Sequence, residues 1–164
     1  MTIHQRSFSH PRLWGILCGL TLAVAQLFIG AGMGTAQAAT TNCTPNGATQ
    51  TCTVTFDYIG AAETWTVPGS VTSVTVDLYG GKGGDGFNSA GGKGARVHAV
   101  LPVTGGETLG IVVAGQGGEG HAFGGGGGSS SGPGFFTNGG GGASHVERNG
   151  VRLLVAGGGG GAGT

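Results

Sequence analysis

Charge is scarce in this chain: Asp, Glu, Lys and Arg make up 9% of its 164 residues and sum to a formal net charge of zero. So thin and balanced a set offers no basic patch for phosphates. Aromatic residues, at 7%, do not interleave with the basic ones, so no nucleic-acid partner is expected. Helical periodicity is missing as well. After residue 38 no segment repeats apolar residues at helical spacing, and glycine, 41 of the residues, makes helices costly. Histidine is sparse: His98, His121 and His145 show no metal-ligand spacing and are expected on solvated faces or loops. No metal and no cofactor are expected.

What is present falls into three textures. The first is an N-terminal leader. His4, Arg6, His10 and Arg12 precede an apolar stretch from Leu13 to Ile29 that carries no acidic residue. Small residues follow, and Ala36-Gln37-Ala38 is the Ala-x-Ala pattern that a signal peptidase accepts, with the cut between Ala38 and Ala39. Residues 1–38 therefore read as a secretory signal peptide, leaving no stable membrane span after processing. Of the three cysteines, Cys43 and Cys52 survive that cut. They flank the turn-forming Pro45-Asn46-Gly47, and in an exported chain they read as one disulfide closing a hairpin-like loop over residues 39–53.

The other two textures alternate through residues 54–164. Period-two runs bounded by Gly, Pro and Asn are the signature of strands. They cover Thr51–Tyr58, Thr64–Val67, Val71–Tyr79, Ala95–Val103, Thr108–Val113 and Val151–Ala156. In the third, Val74, Val76 and Leu78 share one face, with Thr75 and Asp77 on the other. In the fourth, Val97, Ala99, Leu101 and Val103 oppose Arg96 and His98. Trp65 and Tyr79 are expected in the core, and burial is expected for Phe123, Phe135 and Phe136. Between the runs lie glycine segments at 80–94, 115–128, 139–142 and 157–161. Such segments are flexible linkers, or they are extended threefold helices packed side by side, which the missing Cβ permits. Composition does not separate the two.

Glycine also manufactures motifs. Gly81-Lys82-Gly83-Gly84-Asp85-Gly86 matches a dinucleotide-binding loop, but Phe87-Asn88-Ser89 cannot begin the helix that holds a pyrophosphate. Residues 80–88 match one calcium-binding nonapeptide, yet such sites need stacked copies, and Arg96 stands where the aspartate should recur. Gly128-Ser129-Ser130-Ser131-Gly132 fits a nucleophile elbow without the strand-to-helix turn that strains one. Leu101-Pro102-Val103-Thr104-Gly105 looks like a wall-sorting signal but reads better as a strand end and turn. No catalytic residue is assigned.

The blocks between the glycines carry a resemblance. Thr55-Phe56-Asp57-Tyr58, Thr64-Trp65-Thr66-Val67-Pro68 and Val71-Thr72-Ser73-Val74-Thr75-Val76, followed by a Gly-Gly-x-Gly-Gly run, resemble bacterial exported glycine-rich proteins. Gly106-Glu107-Thr108-Leu109, Gly140-Gly141-Gly142-Ala143-Ser144-His145-Val146 and Arg152-Leu153-Leu154-Val155-Ala156-Gly157-Gly158 are similar to the glycine-rich extracellular domain of the anaplastic lymphoma kinase and leukocyte tyrosine kinase receptors. That resemblance implies a β-sandwich joined to a bundle of polyglycine helices, and glycine-rich sequence continuing beyond Thr164. It implies no kinase, since the kinase motifs are not here.

The expectation is an all-β fold: a small β-sandwich-like layer with polyglycine-helix segments between its strands. The function expected is a secreted or cell-surface structural or adhesive module that binds an extracellular protein or polymer, with self-association as a further partner expectation. A ligand-binding ectodomain of the receptor type is the alternative.

Overall fold

Alternation decides the strands, and their inward faces decide how they stack. The computed structural model describes residues 1–7, 39–46, 49–118, 122–132 and 135–163. Among the described residues there is no helix. The strands are β1 (Thr2–Ser7), β2 (Thr40–Asn46), β3 (Thr49–Thr55), β4 (Ala62–Thr66), β5 (Ser73–Tyr79) and β6 (Arg96–Pro102). They continue with β7 (Thr108–Val112), β8 (Ser130–Gly132), β9 (Phe135–Thr137), β10 (Ser144–Arg148) and β11 (Val151–Ala156). One antiparallel sheet has the order β2-β3-β1-β5-β6, a second has β11-β10-β7-β4, and β8-β9 is a separate hairpin. The protein is an all-β sandwich, as the alternation predicts.

The core lies between the two larger sheets. The five-stranded sheet contributes Ile3, Val54, Val74, Val76, Leu78 and Leu101; the four-stranded sheet contributes Leu109, Ile111, Val146 and Ala156. Phe56, just beyond β3, is buried with them, and Trp65 and Leu154 pack against the cluster only partly buried. Tyr79, expected in the core, is instead 52% exposed. It follows Leu78 by one residue, and the pleat sends successive side chains to opposite faces.

Two features of the N-terminal region bear on the sequence reading. The hairpin-like loop expected around the two cysteines is the β2–β3 hairpin, whose register puts Cys43 opposite Cys52, and the two are joined as a disulfide with Cα atoms 4.1 Å apart. Threonine alternating with Cys52 and Val54 builds β3, so the segment has a face to bury. A bridge closing so short a loop contributes about 2–3 kcal/mol. The second feature is β1. Thr2–Ser7, assigned by sequence to the leader, lies between β3 and β5 and runs antiparallel to both. Ile3, fully buried, is the apolar residue that faces inward. The rest of the leader, including the cleavage residue Ala38, lies outside the described residues, whereas Ala39 is described and packs at the rim of the core.

The glycine segments continue the sandwich at one end, where β5, β7 and β11 finish and β6 and β10 begin. Some of their backbone bonds simply extend the sheets. Gly80 and Gly83 donate to Ala95 and Gly92, continuing the β5–β6 pairing, at 2.9 Å each. Gly142 and Gly139 donate to Gly115 and Gly118, continuing β7–β10. Other bonds run between the sheets. Gly81 and Gly84 donate to Gly142 and Gly139 at 2.9 and 3.0 Å, while Gly159 and Ala162 donate to Gly81 and Gly84 at 2.9 Å. Gly92 and Ala95 donate to Gly160 and Gly157 at 2.8 Å.

Along each pair of strings the bonds recur every third residue, which is the period of an extended threefold helix. Facing sheets normally stand about 10 Å apart because side chains separate them. Here the side chains stop, and the two sheets meet backbone to backbone. Among the described residues, the glycine segments are packed structure, not linker.

The packing leaves some glycines no room and others ample room. A Cβ on Gly141 would overlap the carbonyl of Gly81, and one on Gly158 would overlap the carbonyl of Gly141. A Cβ on Gly157 would meet nothing within 4 Å. None of the three has a positive φ, so sterics alone separates them. Gly141→Ala and Gly158→Ala should each lower the unfolding free energy by about 1–3 kcal/mol through overpacking. Gly157→Ala should leave the denaturant midpoint unchanged or slightly raised. Equal midpoints for all three would mean that the strings are not packed.

Candidate functional site

Three of the motif positions are accounted for locally. The carboxylate of Asp85, in the calcium-type nonapeptide, receives Lys82 Nζ at 2.6 and 2.7 Å and the Gly91 amide at 2.8 Å. Ser130 Oγ lies 2.9 Å from Thr137 Oγ1 across the β8–β9 hairpin. Leu101–Gly105 is a strand end and turn: the Thr104 amide donates to Glu107 Oε1, and Arg148 Nη2 donates to Pro102 O and to Glu107. His121 lies outside the described residues, as do the side chains of Phe135 and Phe136. Phe123 is half-buried, its ring tilted against Tyr58 with centroids 6.3 Å apart.

The strongest polar constellation was not singled out by sequence. It lies on the outer face of the five-stranded sheet. Register places His98 opposite Asp77 and Arg96 opposite Tyr79, so one antiparallel pair gathers all four side chains. Asp77 Oδ1 accepts from Arg96 Nη2 at 2.8 Å and Nε at 3.2 Å, and from His98 Nδ1 at 2.9 Å. A carboxylate has no proton to give, so Nδ1 carries it and Nε2 is directed away from Asp77. The guanidinium carbon of Arg96 sits 5.5 Å from the centroid of the Tyr79 ring, a cation–π contact. Asp77 is nearly covered, whereas the Arg96 and His98 side chains are 59% and 58% exposed. The hydrogen bonds from Arg96 and then His98 hold the Asp77 carboxyl below its usual pKa.

The face around this cluster is hydroxylated. Register aligns Thr40, Thr55, Thr2, Asp77 and His98 in one row across the sheet. Thr51 and Thr53 lie on the same side of β3 as Thr55, since Cys52 and Val54 are the buried ones. Exposed Val100 extends the face along β6. Behind it the sheet is fixed where sandwich meets glycine bundle. The buried Ser144 hydroxyl donates to Tyr79 O at 2.7 Å and accepts from the Ala114 amide at 2.9 Å, tying β5 to the other sheet. Chemically, the cluster presents an aromatic ring, a fixed cation and an imidazole on a stiff support. That suits binding by stacking and hydrogen bonding.

His145 is the correction among the histidines. It was expected on a solvated face and is 6% exposed, because β10 is an inner strand of its sheet. Burial, then the positive charge of Arg152, holds its pKa below the usual value; Glu147, 3.8 Å from Nε2, opposes this. Comparison with protein-family models, with curated proteins and with solved structures finds no match. The functional reading therefore rests on the chain's own residues.

Two titrations give a pH dependence of stability. Unfolded His145 takes up a proton near pH ~6.5, but the folded protein resists it. Its contribution is complete above that pH and lost progressively as pH falls toward the lowered folded value. Asp77 contributes above about pH 3.9, and that contribution is lost as pH falls through its own lowered value. Denaturant midpoints should thus decline in two acid limbs. His145→Gln should remove the upper limb, and Asp77→Asn should shrink the lower, to which Asp85 and Glu107, also held below their usual pKa, contribute. An upper limb that persists in His145→Gln would contradict this assignment.

Proposed function

We propose that this chain is an exported, non-catalytic binding module that serves at the cell surface as a structural or adhesive element. Its partner is an extracellular protein or polymer taken on the outer face of the β5–β6 pair. The observation that carries the reading is the Asp77–Arg96–His98–Tyr79 cluster. A nearly buried carboxylate is spent on holding a cation and an imidazole in place at the surface, beside an exposed tyrosine. Arginine and tyrosine dominate interface hot spots because each buries much area and keeps a polar end. Fixing them beforehand reduces the entropy lost on binding.

Export is supported by the leader pattern of residues 1–38 and by the Cys43–Cys52 disulfide, a bond favoured outside the reducing cytosol. Among the described residues no helix is long and apolar enough to cross a membrane. The non-catalytic part is supported by Ser130, whose hydroxyl is engaged by Thr137. The resemblance to bacterial exported glycine-rich proteins and to the glycine-rich receptor domain points the same way.

The test is fractionation of the producing cells followed by co-sedimentation with their insoluble surface material. The chain should be found outside the cytoplasmic membrane, with Cys43 and Cys52 inert to alkylation until reduced. It should sediment with the surface material, and the Tyr79→Ser/Arg96→Ala double variant should lose at least about tenfold in apparent affinity. A cytosolic, thiol-free-reactive chain would overturn export; equal sedimentation by both proteins would remove the cluster from the binding face.

A further inference from the structure

The place of β1 in the sheet has a consequence for the exported chain. β1 is what joins the β2–β3 hairpin to the rest of its sheet, standing between β3 and β5. It pairs with β3 from Thr2↔Thr55 to Ser7↔Gln50, and with β5 from Thr2↔Asp77 to Gln5↔Val74. Being antiparallel to both, it leaves β3 and β5 parallel to each other and about 9.5 Å apart, twice the strand spacing. β5 is anchored on its other side by β6, and Val54 and Phe56 at β3 are buried in the core. β5 is thus a fixed wall, while β3, whose strand neighbours are β1 and β2, is held to the domain by those two side chains. The same six residues belong to the leader, whose cleavage after Ala38 would carry β1 away.

We propose that processing opens this gap as a strand-accepting slot, which binds an extended polypeptide segment of a partner that begins with a free amino group. This rests on the export reading above. The walls of the slot specify the occupant in three ways. Its backbone must be extended and antiparallel to β3 and β5, so that the ladder groups on both walls are paired again. Its third residue must be a branched aliphatic, because the fully buried Ile3 sits in the core beside its register partners Val54 and Val76.

Its leading end must meet Phe56. The Met1 amino group donates to Phe56 O at 2.8 Å, and Phe56 N donates back to Met1 O at 2.9 Å. Burial lowers the pKa of that amino group, and the charges of Asp57 and Glu63 oppose the shift. Glu63 itself is held above its usual pKa by burial and by Asp57, and the amino group relieves it. A backbone carbonyl, with two carboxylates offsetting part of the burial, receives a chain's amino terminus there. The Cys43–Cys52 bridge keeps β2 on β3 while the slot is empty, so the hairpin presents an intact strand edge.

The experiment uses the protein as cells export it. Intact mass first decides whether the chain has been cut after Ala38. The processed protein is then titrated with the synthetic peptide Met-Thr-Ile-His-Gln-Arg-Ser, labelled at its carboxyl end, while amide exchange is followed on β3 and β5. One peptide should bind per chain, with new protection at Val54 on one wall and at Thr75 and Asp77 on the other. N-acetylation of the peptide should weaken binding about tenfold, and the Ile3→Asp peptide should not bind.

A secreted mass that still begins at Met1 would end the export reading itself. A processed chain with β3 and β5 already protected, and no peptide binding, would overturn the slot while leaving export intact, because the chain or a second copy would then fill the gap. A processed chain that stays unfolded with and without peptide would overturn it too. Equal binding of the acetylated peptide would overturn amino-terminal recognition.

Discussion

An amide nitrogen and a carbonyl oxygen bond only when they come within about 3 Å, and a side chain between two chains keeps them apart. Removing that obstacle is what the glycines do here. In the sandwich, Val76, Leu78, Ile111 and Val146 hold the two sheets apart while making the core. Past Tyr79, Val112 and Ala156 there is nothing to hold them apart, and the sheets close onto each other's backbone. Each string then bonds in more than one direction. Gly81 donates to Gly142 and accepts from Gly159, while Lys82 O accepts from Gly117. The backbone groups that the threefold conformation leaves unpaired within a string are satisfied by its neighbours.

The candidate site depends on that closure. Tyr79 is the last residue of β5, and Arg96 is the first of β6. Between them the chain makes a sixteen-residue, glycine-rich excursion from 80 to 95 that would be free to wander if it were solvent-exposed loop. Instead Gly80 returns to Ala95 and Gly83 to Gly92, so β5 and β6 leave the bundle already in register. Register is what puts His98 on Asp77 and Arg96 on the Tyr79 ring. Ser144 ties the same junction to the second sheet. The opposite margin of the sheet is held differently, by a disulfide across β2 and β3 and by β1 between β3 and β5.

The alternating runs made most of the sandwich legible. β5, β6, β7 and β11 fall within the predicted runs, β3 and β4 overlap theirs, and Val74, Val76 and Leu78 do share the buried face. β10 was missed because Ser144, His145 and Val146 are all buried, so polarity does not alternate along it. The Asn149-Gly150 turn that joins it to β11 was a readable hairpin signal, with positive φ at both residues. β1 was hidden because its residues also fit a leader, and one buried isoleucine is too little pattern to argue for a strand. Of the site, the polar sides carrying Asp77, Arg96 and His98 were visible. Their pairing was not, since register across a long glycine segment has no local determinant.

The central claim is that the glycine strings are ordered by backbone bonds between the sheets. Amide hydrogen exchange on the whole chain tests it directly. Gly81, Gly84, Gly92 and Gly159, all donors between the sheets, should exchange as slowly as Val76 in the sandwich, because opening them requires the same cooperative separation of the sheets. Exchange of those glycines within the dead time, while Val76 stays protected, would show the strings to be solvent-exposed loops and would contradict the account.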